Sequence, residues 1–249
     1  MLSALRAPWH KLRNARRLRP IRSVVRPVRV RGVVLEIEDF ATSSVVEVVP
    51  RELAADCYNF ELIPFQPRDV VVDVGANVGI TSIYLAKKQP ELTIHAYEPV
   101  PENFTHLERN LSRNGVTNVV PHRAAVTADG RSFKMSAHFY SNSGSASGHY
   151  ANLRSPGFFH YEVPSITLDA LFARHQITRC RLLKIDCEGS EHEVLLGCRV
   201  LDRVEWLAGE FHLNQGLERA GYSFERLEAH CRRFVAPERI KVSRLRMPD

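Results

Sequence analysis

Apolar and polar positions follow two rhythms along this chain, and the switches between them mark its elements. Val70, Val71 and Val72 form a short β-branched run, the pattern of a strand buried on both faces of a parallel sheet, and the run ends at Asp73. Small, turn-tolerant residues follow at Gly75, Ala76, Asn77 and Gly79, and residues 80–88 then show helical spacing. Residues 92–97 read as the next strand, closing on Glu98. Pro99 and Pro101 open a helix that runs to about Arg113, with Phe104, Leu107 and Leu111 on one face, and Asn114-Gly115 stops it. A third strand is predicted at 118–122, with Ala124, Ala125 and Val126 at its end. Further on come an extended segment at 161–166, a helix from Leu168 capped by Thr167 or Ser165, a buried strand at 181–185, a helix at 190–196 and a strand at 204–211. The fold class is α/β, with a parallel sheet and helices on both faces.

Two stretches do not fit that alternation. In front, 31–50 reads as a β-hairpin with strands at 33–37 and 45–49, followed by helical spacing over 51–63 that stops before Pro64. In the middle, 131–138 looks like an added strand, and 141–148 (SNSGSASG) has no apolar period. The latter suits either a lid or a plain connector. Tyr140, His149, Tyr150, Phe158, Phe159, His160 and Tyr161 enrich the same region in aromatic rings and imidazoles, to stack on a planar or sugar acceptor or to pack the lid.

Length and charge refine the division. The 249 residues suffice for one domain with a small appendage: a basic arm at 1–31, a hairpin and helix extension at 32–64, and the main domain at 65–249. The net charge of +6 belongs to the arm, which holds ten Lys or Arg and no acid, leaving 24 basic against 28 acidic residues in the body. Such an arm suits a solvated leader or weak contact with an anionic surface, and nucleic-acid binding is not expected of the body. The chain shows no signal-like or membrane-spanning run, so a cytoplasmic location is expected. The five cysteines form no C-x-x-C pair and read as free thiols, and the Asn103 and Asn110 glycosylation patterns read as coincidence.

Chemistry gathers at predicted strand ends, where open α/β sheets bind ligands. Glu98 lies 25 residues after Asp73, about where a dinucleotide-type fold sets an acid against a ribose. The glycine spacing is Gly75-x-x-x-Gly79, whereas a pyrophosphate asks for G-x-G-x-x-G. A ligand with ribose and adenine but no phosphate suits this turn, with Asp73 and the turn backbone facing an amino-acid end; S-adenosylmethionine is such a ligand, and NAD or a nucleotide sugar is disfavoured. The plainer alternative is that the glycines only permit close helix packing. The run after the 181–185 strand, Asp186-Cys187-Glu188-Gly189-Ser190-Glu191, adds three carboxylates, and the 204–211 strand brings Glu210 and His212 to the same rim.

The segments VVDVGANVGITSIYLA, HAYEPVPENF, SITLDALF and LLKIDCEGSEHEVLLG, in this order, resemble the FkbM family of S-adenosylmethionine-dependent methyltransferases. The similarity spans residues 69–212. It implies a Rossmann-like, seven-stranded methyltransferase sheet and methyl transfer to a hydroxyl oxygen of a sugar, polyketide or other natural product. Asp73, Gly75, Asn77 and Gly79 match the cofactor loop, with Ala76 inside it. Glu98, followed by Pro99, matches the ribose-binding acid, and Asp186, Glu188 and Glu191 match the acidic block. Ala125 stands near the adenine, although no acid occupies Arg123 or Ala124.

In-line displacement at an activated methyl asks mainly for positioning and a base. Asp186 is the first candidate base and a further cofactor contact; His212, as a neutral imidazole, is the second, with Glu188 beside them. Glu191 either orients the substrate or caps its helix, and His192 is expected to face solvent. A rival arrangement places Mg²⁺ on Asp186 and Glu210; the metal-free base is favoured. A nitrogen, sulfur or protein acceptor is the alternative to a hydroxyl.

Overall fold

The computed structural model describes residues 22–138, 144–145 and 158–247. The chain enters through β1 (Ser23–Val30) and β2 (Val33–Phe40), an antiparallel hairpin with Val30 opposite Val33. Arg31 and Gly32 both have positive φ, as a two-residue turn matching the strands' twist requires. The expected hairpin at 33–37 and 45–49 is therefore corrected. Its first strand exists, but the partner lies upstream, in what the charge pattern assigned to a loose arm. Residues 45–49 belong instead to helix α1 (Val45–Ala54). Val46, Pro50 and Leu53 bury one face of that helix, and this spacing prevails over the strand preference of its valines. The helix expected over 51–63 is correspondingly cut short, with only a 3₁₀ turn at Phe60–Leu62. Residues 1–21 of the arm lie outside the described residues.

The sheet follows. In chain order come β3 (Val70–Val74), α2 (Ile80–Lys88), β4 (Thr93–Tyr97), α3 (Pro101–Arg113), β5 (Val119–His122), β6 (Ala125–Val126), β7 (Phe133–His138), β8 (Gly144–Ser145), β9 (Phe158–Val163), β10 (Ser165–Ile166) and α4 (Leu168–Arg174). They are followed by β11 (Cys180–Ile185), α5 (Glu191–Gly197), β12 (Val204–Leu213), α6 (Gln215–Arg219), α7 (Phe224–Cys231) and β13 (Ile240–Arg246). Six strands, all parallel, form the main sheet in the order β13-β12-β11-β3-β4-β5, so β13 and β5 are its edges. The seven expected are six among the described residues, because β7 and β9 pair antiparallel with each other in a small separate sheet. Apart from residues 144–145, the serine and glycine stretch at 141–148 lies outside the described residues, as do Tyr140, His149 and Tyr150.

Alternation along the strands divides the interior in two. Val71, Ile94, Ala96 and Leu182 face α2, α3 and the front hairpin, whereas Val72, Val74, Leu183 and Ile185 face the helices after β10. The front extension is part of the first core, to which Val30, Leu35, Ile37, Leu53 and Phe60 all contribute. Asn110 of α3 and Asn114, which caps it, tie the extension down. Asn110 accepts from the Glu38 N–H and donates to the carbonyls of Glu38 and Val78, and Asn114 bonds the backbone of Glu36. Asn110 thus joins the hairpin to the turn after β3. With Asn103 also buried, neither glycosylation pattern is presented to solvent. At the opposite end of the strands, Arg181 is buried in an ion pair with Asp69 at 2.6 Å and a second with Glu205.

Candidate active site

Parallel strands put all their C-terminal ends at one edge, and the site is built there. A cleft of about 900 Å³, its open mouth included, is lined by Gly75, Ala76, Asn77, Glu98, Pro99, Ala125, Asp186 and Glu188, which the sequence had singled out. Val45, Val49 and Tyr58 of the front extension form part of its wall, and Ala124, Val126 and Met135 another.

The first wall is the turn after β3. Gly75 has φ +81, and a Cβ there would lie 1.8 Å from the Asp186 carbonyl oxygen, so only glycine lets the β3 and β11 exits pack together. Gly79, at φ +91, admits the Leu107 side chain in the same way and starts α2. Two non-glycine residues of the cleft, Asn77 (φ 52) and Glu188 (φ 56), also hold left-handed backbone, at a cost of order 1–3 kcal/mol each. Asp73 stands behind the turn and not on it. Its carboxylate accepts from Ser82 Oγ at 2.6 Å and faces the Lys184 ammonium at 3.4 Å, so it braces the loop.

Glu98 is buried, and each oxygen takes one backbone N–H, from Asn77 and from Val100, both at 2.9 Å. Burial is the main reason its pKa rises to about 7, against the opposing pull of these bonds and of Lys184. A carboxylate offers about four acceptor sites, and with the Asn103 side chain also bonded to Glu98 about one is left for a hydroxyl donor. Beside it, Asn103 supports Glu98 with its side chain, while Asn103 Oδ1 is buried in the cleft wall with no partner.

The second wall is the exit of β11. Lys184 is in register with Asp73, buried, and donates to the Gly75 carbonyl at 3.2 Å and to Asp186 at 3.4 Å. Burial opposes its charge, yet Asp73 and Asp186 outweigh that and raise its pKa. Asp186 is pushed upward by burial first and then by Glu210, with Lys184 pulling the other way. The sequence reasoning missed Lys184, although a lysine inside an otherwise apolar strand was itself the signal. It also missed Asn103, Tyr58 and Glu52; the Tyr58 hydroxyl donates to Glu52 at 3.2 Å, and Glu52 feels Glu210 and Asp186 from the front wall.

His212 is set behind Asp186. Its Nδ1 donates to Glu191 Oε1 at 3.1 Å, and its Nε2 lies 3.5 Å from Glu210 and 3.8 Å from Glu188. Burial alone would remove its proton, but these carboxylates prevail and lift its pKa to about 11. His212 is therefore an imidazolium near neutral pH, which corrects the expectation of a neutral base. Glu191 is fully buried, and its two oxygens also accept from the backbone N–H groups of Cys187 and Gly189, at 2.8 and 2.9 Å, so it staples the loop before α5. His192 is corrected as well: it is fully buried and donates to the His212 carbonyl at 3.0 Å. Asp186, Glu188 and His212 bring ligand-type atoms within 4.8 Å of one another, and burial raises Glu188 to about 7.

A doubly wound sheet with a glycine turn and a ribose-height acid on adjacent strand ends defines a nucleoside-ligand enzyme of the α/β class. Residues 73–232 match the Methyltransferase FkbM domain, and the chain belongs to that methyltransferase family. Methyltransferase 1 of Beauveria bassiana is 30% identical over 65% of this chain and 69% of its own length. The 31-O-demethyl-FK506 methyltransferase FkbM of Streptomyces tacrolimicus is also 30% identical, over 65% of this chain and 73% of its own. Among solved structures, the precorrin-6y C5,15-methyltransferase of Geobacter metallireducens aligns over 72% of this chain and 71% of that one, with a TM-score of 0.42 and 16% identity.

Proposed function

We propose that this protein uses S-adenosylmethionine to methylate a hydroxyl oxygen of a sugar, polyketide or other natural-product acceptor. The observation that carries the reading is Asp186, a carboxylate on the cleft wall next to the Gly75 turn, with its pKa raised. The cleft fits the donor. Glu98 has about one acceptor site left for a ribose hydroxyl, the buried Asn103 oxygen lacks a donor, and the Gly75 backbone lines the cleft beside them. Gly75, Ala76, Asn77, Glu98, Pro99 and Ala125 would hold it, with Asp186 at its reactive end and Asp73 and Gly79 shaping the turn from behind. When bound, it supplies a methyl group already activated toward a nucleophile.

The chain's own residues then orient the acceptor and remove its proton. Asp186 takes the hydroxyl proton, and its raised pKa makes it a stronger base than an exposed aspartate. Lys184 holds the Asp186 side chain and keeps it ionised. His212, Glu188 and Glu191 fix the loop that carries Asp186, His212 being already protonated. Glu52, Asp186, Glu188 and Glu210 make the acceptor side acidic, which favours neutral acceptors over acids or phosphates. The Streptomyces relative, whose name specifies an O-demethyl substrate, supports oxygen over nitrogen or sulfur as the acceptor atom. Because the Lys184 ammonium already faces Asp186 and the His212 imidazolium already faces Glu210, the two carboxylates a Mg²⁺ would take, a base without Mg²⁺ is the favoured mechanism.

The test is Asp186→Asn against a panel of hydroxylated acceptors. Turnover is expected to fall about 10²- to 10⁴-fold, with calorimetric affinity for S-adenosylhomocysteine retained within a few-fold. Near-normal turnover would remove Asp186 as base, and activity abolished by EDTA and restored by Mg²⁺ would replace the metal-free mechanism.

A further inference from the structure

We propose that His95, His122 and His175 form a binding site for a divalent transition-metal ion of the zinc type, on the sheet face away from α2 and α3. The three come from separate segments: β4, β5 and the residue that ends α4. One ligand nitrogen from each lies within 4.8 Å of the others, and His95 Nδ1 is 3.1 Å from His122 Nε2. On a tetrahedral zinc with bonds of about 2.0–2.1 Å, nitrogens stand about 3.3 Å apart. Adjustments of about an ångström in ring position would therefore close the set. His122 and His175 are half-buried, so an ion can enter and their rings can turn. The Tyr97 hydroxyl, 2.9 Å from His175 Nε2, is placed to orient that ring from outside the set.

The surroundings select the ion. His95 stacks on His175 at 4.0 Å and His122 on Tyr97 at 4.4 Å, and among the described residues none of the three makes an ion pair with a carboxylate. Each of the three offers one ring nitrogen as a ligand atom, and a neutral imidazole is an ordinary ligand near neutral pH. The Arg174 guanidinium acts electrostatically on His122 and His175 and opposes any cation held by field alone. Mg²⁺ and Ca²⁺, which want oxygen, are disfavoured here, while Zn²⁺, Ni²⁺ or Cu²⁺ suit imidazole. Bound there, the ion would clip the end of α4 to the β4–β5 edge of the sheet, away from the strand-end carboxylates.

The experiment uses tag-free, chelator-stripped full-length protein titrated with Co²⁺ while visible ligand-field bands are followed. The inference predicts about one ion per chain, displacement by Zn²⁺, and a melting temperature raised by Zn²⁺ but not by Mg²⁺. His122→Ala and His175→Ala should each weaken the ion at least about 100-fold, beyond the 10- to 100-fold typical of losing an outer partner. Glu188→Gln, in the cleft, should leave the bands in place. Absence of bands in the folded wild type overturns the proposal. So do bands that survive both histidine variants, or bands lost in Glu188→Gln alone, which would put the ion in the cleft. Where a histidine variant fails to fold, missing bands in the wild type or bands lost in Glu188→Gln still overturn the proposal.

Discussion

Histidine occurs in two settings in this molecule with opposite outcomes. His212 is packed among Glu188, Glu191 and Glu210 and holds its proton up to about pH 11. His95 and His122, on the other side of β3, meet rings and one another, with the Arg174 guanidinium also acting on His122, and stay neutral down to about pH 4. Both settings are poor in water, so burial pushes all three the same way; the neighbours decide. A carboxylate within hydrogen-bond reach turns the imidazole into a fixed cation, and an aromatic stack makes it a neutral ligand.

The sharpest way to break this contrast is on the charged side. Lys184→Met would leave the buried Asp73 carboxylate without its ammonium, and urea unfolding should show a loss of about 3–5 kcal/mol. A loss under about 1 kcal/mol would mean the charges are solvated and the network is not a buried one. Glu191→Gln comes next. It removes the nearest carboxylate from His212, whose NMR-detected pKa should fall from about 11 toward the ordinary 6.5. The raised folded pKa makes the His212 contribution to stability complete below 6.5 and lost as pH climbs toward 11, so this variant should flatten the alkaline side of the stability profile. An unaltered profile would mean that His212 is not charged by Glu191.

The mildest change is His122→Phe, which keeps a ring in the stack and gives up the hydrogen bond to His95, worth about 1 kcal/mol. The depressed pKa values of His95 and His122 place their contribution above 6.5, to be lost as pH falls toward 4. His122→Phe should therefore flatten the acid side and leave the alkaline side alone. The same slope in variant and wild type between pH 6.5 and 4 would remove the neutral-cluster account.

Local pattern was enough for the sheet and for the cleft backbone. β3, α2, β4, α3 and β11 were legible because each carries its own period, and Gly75 and Glu98 because strand ends and turns are local features. The front hairpin was misplaced because Val45, Val46, Val48 and Val49 favour a strand in isolation, and only the core reveals the helical face they share with Leu53. The charge states of His212, Lys184 and Glu191 were illegible for another reason. Each depends on a partner 21 or more residues away, such as Glu191 for His212, or on a neighbouring strand, such as Asp73 opposite Lys184. His192 was read outward because its polarity outranked its place on α5 beside β12, whose His212 carbonyl accepts a hydrogen bond from its ring N–H.

The order of the main sheet leaves two rows of backbone amides and carbonyls facing outward, on β5 and on β13. Each is guarded by composition. Pro121 removes a donor from the short β5, and Lys241, Arg244 and Arg246 stud β13 with positive charge. A stray strand from another molecule would meet a missing hydrogen bond on one flank and electrostatic resistance to its own basic edge on the other. The architecture that gathers every carboxyl-terminal strand end into one reaction site thus carries its own protection against sticking to itself.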